Sequence, residues 1–290
     1  MKKSTILITG ANGQLGKELQ VASVKYPQFD FIFLSKDELA INDIEKVFEV
    51  FQKNQPSFCI NCAAYTAVDK AESENETAFL MNADAVGFLA AACKSLNTKF
   101  IHISTDYVFD GNSSAPLNED DITNPVNVYG ASKLKGEEQA FKENDQTIVI
   151  RTSWVYSEFG NNFVKTMIRL MKEREAINVV SDQIGSPTYA ADLADAILRI
   201  INADKFIPGI YNYSNEGKIS WFDFATAIKE MIDSNCKVNP IPTSQYPTPA
   251  KRPHYSLLDK SKIISTYSLK INDWKESLAS CIDKIKKQGA

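Results

Sequence analysis

The chain has 290 residues, 44% of them hydrophobic, enough for one large core or two smaller ones. Its 32 Lys and Arg against 36 Asp and Glu give a formal charge of −4 without a basic tract, which argues against a nucleic-acid partner. The first apolar run, Ile6-Leu-Ile8, stops at Thr9-Gly10, too short for a signal-peptide core or a membrane span, so a soluble, cytoplasmic protein without a membrane partner is expected.

Thr5-Ile-Leu-Ile8 predicts a strand, and the apolar pattern over 14–24 predicts a helix. Between them lies Gly10-Ala-Asn-Gly13-Gln-Leu-Gly16. Glycines after a strand and before a helix permit a tight turn and let backbone N–H groups approach a pyrophosphate, the context a dinucleotide fingerprint needs. Phe29–Leu34 reads as the second strand and ends in Ser35-Lys36-Asp37. A cation or hydroxyl there tolerates a 2′-phosphate and a carboxylate takes ribose hydroxyls, so Ser35 and Lys36 favour NADPH while Asp37 keeps NADH possible.

A helix near 43–54 and a strand over 58–63 follow. That strand carries Cys59 and Cys62, which alternation sends to opposite faces. Five cysteines are an odd number, and no second C-x-x-C completes a zinc site, so the cysteines read as free thiols in the core and no metal is expected. A long helix near 76–96 leads to the strand 99–104, and a helix around Tyr129 leads to the strand 147–151. Apolar strands alternating with helices predict an α/β, Rossmann-type, doubly wound parallel sheet.

Past residue 152 prolines interrupt shorter elements, predicting a division at 1–152 and 153–290, the second part a smaller α/β substrate lobe. Helices are expected over 220–233 and 274–286 and a long surface loop over 236–256, while 177–205, beginning with Ile177–Val180, can rejoin the first sheet.

The chemistry concentrates in Tyr129-Gly-Ala-Ser-Lys133, 24 residues after Thr105. Four-residue spacing on a helix places phenol and ammonium on one face, and a cation favours phenolate, as a proton donor to a nascent alkoxide requires. The strand ending at Ser104-Thr105-Asp106 lies at the carboxyl edge, where open α/β sheets bind ligands. Alternation lets only one of Ser104 and Thr105 face that pocket. His102 and His254 are the only histidines and stand far apart, which speaks against a His-centred metal site or triad.

Several segments together resemble the dTDP-4-dehydrorhamnose reductase family, within the extended short-chain dehydrogenases/reductases. They are Thr9–Gly16, Asn61–Asp69, Ser104–Gly111, Val128–Lys133, Arg151–Tyr156, Gly160–Phe163, Asp182–Thr188 and Tyr246–Pro253, spanning nearly the whole chain. The resemblance implies reduction of the C4 ketone of dTDP-4-dehydro-L-rhamnose by NADPH or NADH, with Thr105, Tyr129 and Lys133 as the catalytic set. It implies cofactor contacts from Gly10, Asn12, Gly13, Gln14, Leu15 and Gly16. Ser35, Lys36, Ile41, Ala63, Ala64, Tyr65 and Thr66 join Tyr129 and Lys133 in that role. Asp106, Trp154 and Arg252 are implied beside the sugar nucleotide, with Arg252 able to pair with pyrophosphate. Family dehydratases carry Asp-Glu after the active-site Thr, whereas Tyr107 follows Asp106 here, which favours simple reduction. A sugar-nucleotide epimerase and a non-catalytic regulatory subunit, like that of methionine adenosyltransferase, are the alternative readings. Monomer and homodimer are both compatible with the resemblance. Some members dimerise around Mg²⁺ held by carboxylates; Glu18 fits the first, but Ala191 stands where the second belongs, leaving Mg²⁺ open. Ala40 replaces a frequent acid near the adenosine.

Overall fold

In a computed structural model describing residues 3–288, six parallel strands form the central sheet. They are β1 (Ser4–Thr9), β2 (Phe29–Leu34), β3 (Phe58–Asn61), β4 (Lys99–Thr105), β5 (Thr147–Thr152) and β6 (Gly209–Tyr213). Their order, β6-β5-β4-β3-β1-β2, reverses direction at β1, so a crevice opens between the carboxyl ends of β1 and β3.

The longer helices are α1 (Gln14–Ser23), α2 (Ile44–Asn54), α3 (Ala85–Ser95), α4 (Val128–Glu143), α5 (Phe163–Glu173), α6 (Ala190–Asn202), α7 (Trp221–Met231) and α8 (Trp274–Gln288). Strand alternation separates two apolar layers. Ile6, Ile8, Ile60 and Ile101 pack against Leu15 and Leu19 of α1 and Leu193 and Ile197 of α6. Leu7, Cys59 and Phe100 face Val47 and Phe51 of α2 and the small residues of α3. Cys59 and Cys62 do occupy opposite faces, and all five cysteines are free. A third apolar cluster joins α5, α7 and α8 around Tyr156, Phe224 and Trp274, forming a packing unit beside the sheet.

Three elements differ from the expectations. Ala176–Val180 does not join the main sheet; it pairs in parallel with Lys237–Ile241, a strand inside the segment expected to be loop. Pro240 is tolerated there because Lys237–Ile241 has a partner on one side only. The later strand that rejoins the main sheet is β6, beside β5, so the chain returns to the first layer after building part of the second unit. The long helix expected over 76–96 is three helical pieces, Asn75–Phe79, a π-helical turn Leu80–Asp84, and α3. At that turn Asn82 leaves the helix face to serve neighbours: its amide exchanges hydrogen bonds with the backbone of Tyr65 and donates to Ser132 Oγ of α4 at 3.0 Å. The backbone oxygen of Asn82 also sits against Gly136, where a Cβ would collide with it. No helix among the described residues is long and apolar enough to cross a membrane.

Candidate active site

A cleft of about 620 Å³ opens at the crevice between β1 and β3. Its floor is the glycine turn. Gly10 has φ +67°, and a Cβ there would meet Ala63 N at 2.6 Å, so only glycine lets β1 and β3 approach this closely. Several of the eight longer helices carry a side-chain cap: Asp43 caps α2, Asn127 caps α4, Asn162 caps α5, and Ser220 with Asp223 forms a capping box on α7. α1 has Gly13 at this position and no side-chain cap among the described residues, and Gly13, Gln14 and Leu15 line the cleft. That end of a ten-residue helix suits a pyrophosphate.

Gly10, Asn12, Gly13, Gln14 and Leu15 line the cleft, as do Lys36, Ile41, Ala63, Ala64 and Thr66. Gly16, Ser35 and Tyr65 do not. Gly16 lies beneath the turn, where a Cβ would meet Ala11 Cα at 2.7 Å. The Ser35 hydroxyl and backbone N–H both donate to Glu38, and the Tyr65 hydroxyl donates to Glu74. Leu39, Cys62, Val68 and Met81 also line the cleft and escaped the sequence reading, because apolar contacts to a flat ligand leave no motif.

Thr105, Asp106, Tyr129, Lys133 and Trp154 converge at the other end of the same cleft. Ser104 and Thr105 both line the cleft, but their hydroxyls are differently engaged. The Ser104 hydroxyl donates to Glu137 under α4, whereas Thr105 stands beside the phenol of Tyr129 and donates to Asp106 Oδ1 at 3.1 Å. Burial pushes the Tyr129 phenol up to about 12, with Thr105 opposing and Asp106 reinforcing, so the side chain is a protonated donor at neutral pH. The expected lowering of the phenol by Lys133 is not what dominates in this arrangement; desolvation is larger. Burial pushes Lys133 down to about 8, against Glu137 and Cys62, and raises Asp106 to about 6. Asp106 lines the cleft, but its Oδ2 is fully buried and has no hydrogen-bond partner within bonding geometry among the described residues, although the Ser256 hydroxyl lies beside the carboxyl and opposes its rise.

Lys133 Nζ donates to Ile103 O at 2.6 Å and lies 3.3 Å from His102 Nε2. One turn further along α4, Glu137 receives a two-pronged ion pair from Arg151 of β5, Nη2 to Oε2 at 2.7 Å and Nε to Oε1 at 3.0 Å, with both side chains buried. Tyr129, Lys133 and Glu137 therefore share one face of α4, the last anchoring the first two to the sheet.

The second packing unit closes the cleft from outside. Asn162 Nδ2 donates to Gln14 Oε1 at 2.9 Å, joining the start of α5 to the glycine turn. Trp154 holds a left-handed backbone, φ +48°, and stacks on Trp221 with ring centroids 3.7 Å apart. A left-handed residue costs about 1–2 kcal/mol and an aromatic pair returns about 0.5–1.5 kcal/mol beyond its buried area, so the stack offsets the strain of aiming the indole into the cleft. Arg252 is not brought to the cleft. It makes a two-pronged pair with Asp69, 3.0 and 2.8 Å, fastening the 246–253 segment to the short helix Val68–Ala71 that follows β3.

Glu18, at the back of α1, is buried and accepts from Ser157 Oγ at 2.6 Å. Burial, with the neighbouring Glu158, pushes it up to about 8; Glu158 is held low and takes Tyr189 and Lys284 as partners at 2.8 and 3.0 Å. Among the described residues no group of three or more His, Cys, Asp or Glu side chains could hold a metal ion.

The model of the RmlD substrate binding domain matches residues 4–287. The dTDP-4-dehydrorhamnose reductase of Aggregatibacter actinomycetemcomitans is 42% identical over 285 residues, covering 94% of this chain and 96% of the relative. The enzyme of the same name from Escherichia coli K12 is 40% identical, with 97% of each chain covered. The crystal structure of dTDP-4-dehydrorhamnose reductase from Bacillus anthracis, in complex with NADP, is 41% identical and superposes with a TM-score of 0.94 over 98% of this chain and 100% of that one. With its glycine turn and its Thr105, Tyr129 and Lys133 gathered in one cleft, this chain belongs to the dTDP-4-dehydrorhamnose reductase family.

Proposed function

We propose that this chain reduces the C4 ketone of dTDP-4-dehydro-L-rhamnose to dTDP-L-rhamnose, using NADPH, with NADH as a possible substitute. The convergence of Thr105, Tyr129 and Lys133 at one end of the cleft, with an uncapped helix start at the other, carries the reading. The uncapped start of α1 takes the pyrophosphate, and Lys36 at the mouth suits a 2′-phosphate. When bound, a reduced nicotinamide dinucleotide supplies the hydride that reaches the ketone carbon.

As charge develops on the ketone oxygen, Tyr129 transfers its phenolic proton to it and the Thr105 hydroxyl donates a hydrogen bond to the same atom. Lys133 steadies the tyrosinate left behind and holds the nicotinamide ribose. The Asp106 carboxyl, at the cleft wall, suits a sugar hydroxyl, and Trp154 provides an apolar wall for the sugar nucleotide. Arg252 reaches a diphosphate only by releasing Asp69. Mixing the purified chain with dTDP-4-dehydro-L-rhamnose and each reduced nicotinamide in turn tests this. Stoichiometric loss of the reduced-nicotinamide absorbance is the expected result. Conversion of the sugar without such loss points to an epimerase and rejects the reading.

A further inference from the structure

A line of buried polar side chains runs beneath the cleft, from Thr9 through Asn61 and His102 to Lys133, and its hydrogen bonds determine where the imidazole proton sits. Asn61 Oδ1 accepts from Thr9 Oγ1 at 2.6 Å and from the Ala63 backbone N–H at 3.1 Å. A backbone N–H can only donate, so the Asn61 amide cannot be turned round. Its Nδ2 therefore donates to His102 Nδ1 at 3.1 Å, which leaves Nδ1 without a proton. His102 is fully buried, which disfavours imidazolium, so the single ring proton is on Nε2. Nε2 faces Lys133 Nζ at 3.3 Å. An N–H facing an ammonium sets two donors against each other; an N–H facing a neutral amine meets a lone pair.

We propose that His102 is a positioning residue that sets the charge of Lys133, the Asn61-fixed Nε2–H favouring the neutral amine until a ligand in the cleft draws the proton in. Lys133 otherwise meets the Ile103 carbonyl, Glu137 on its own helix and the Cys62 thiol after β3, which burial keeps neutral. Glu137 is already paired with Arg151, and the Ile103 carbonyl at 2.6 Å accepts equally from an amine or an ammonium, so the imidazole N–H at 3.3 Å is the neighbour that distinguishes the two forms. His102 touches neither the ketone nor the ring that delivers hydride; it acts through the lysine. The assignment deepens the proposed reductase activity and rests on it only for the kinetic part of its test.

Nitrogen-15 NMR of the histidine-labelled protein, with His254→Asn used to assign the two rings, reads the tautomer in the free chain. A protonated Nε2 and bare Nδ1 are expected, and a proton on Nδ1 or on both nitrogens overturns the proposal whatever the enzyme's activity. Asn61→Asp presents an acceptor to Nδ1 and should move the proton there, leaving Nε2 to accept from Lys133. His102→Gln, which adds no charge, can turn its carbonyl oxygen to Nζ. In both variants the alkaline limb of kcat/KM for ketone reduction should move up by about one pH unit. An unmoved limb in both overturns the proposal while leaving the reductase reading intact. A wild-type chain that consumes no reduced nicotinamide rejects that reading instead, with the NMR result still standing.

Discussion

Two buried glutamates sit on opposite sides of the cleft, and they are kept inside by opposite means. Glu137, beneath the catalytic helix, meets the forked guanidinium of Arg151 in a two-pronged buried pair. Glu18, where α1 meets the second packing unit, meets another carboxylate, Glu158, and keeps a proton instead. An ion pair with matched geometry holds its position across the pH range in which enzymes work, whereas a retained proton makes its junction answer to pH. The anchor beneath the helix that positions the chemistry is thus an ion pair, whereas the seam between the two packing units is held by a retained proton.

The largest expected effect separates chemistry from both anchors. Tyr129→Phe should lower turnover by about 10² to 10⁴ while leaving cofactor affinity, read by fluorescence titration, and folding stability close to wild type. Near-wild-type turnover would remove the proposed acid. Arg151→Met strands Glu137 as a buried anion and should cost about 3–5 kcal/mol in urea unfolding, because desolvation of the remaining charge is no longer offset. A loss below about 1 kcal/mol would show that the anchor is dispensable.

The pH behaviour sharpens the contrast at Glu18. Its native value lies near 8 and its ordinary value is 4.5, so over that window the folded chain holds a proton that the unfolded chain has released. Stability from this group is fully present below 4.5 and is lost as pH rises through about 8. Glu18→Gln should flatten that decline, and urea midpoints at about pH 5 and about pH 9 measure it. The smallest effect is expected for Lys284→Met: the lysine is 41% exposed, and the buried Glu158 keeps the Tyr189 hydroxyl as a partner, so a change of about 1 kcal/mol is predicted.

The central sheet was legible because its strands are apolar runs and its first turn carries glycines, signals that survive without context. Tyr129 and Lys133 were legible as neighbours for a related reason, since helical spacing translates directly into a face, whereas the choice of Thr105 over Ser104 came from the family resemblance. What escaped depended on partners distant in sequence. β6 reads Gly-Ile-Tyr-Asn-Tyr, a short run with its polar Asn212 turned inward to bond Leu117 O, so alternation misled. Lys237–Ile241 contains a proline and becomes a strand only because Ala176–Val180 lies alongside. Arg252 carried the right chemistry for a diphosphate, but nothing near it in the chain announces Asp69 as its partner. His102 was weighed as a metal ligand or triad member, whereas its surroundings make it a neighbour of the lysine.

One small omission governs how the reacting groups reach their places. Where α4 crosses the π-helical turn, Gly136 has no side chain to keep the Asn82 carbonyl away, and Asn82 in turn reaches Ser132 and the loop at Tyr65. Adding a single methyl at 136 would act as a wedge near the middle of the helix, tipping Tyr129 relative to the sheet without touching the cleft. A residue with no atoms beyond its backbone thereby calibrates the reach of the phenol from two turns away.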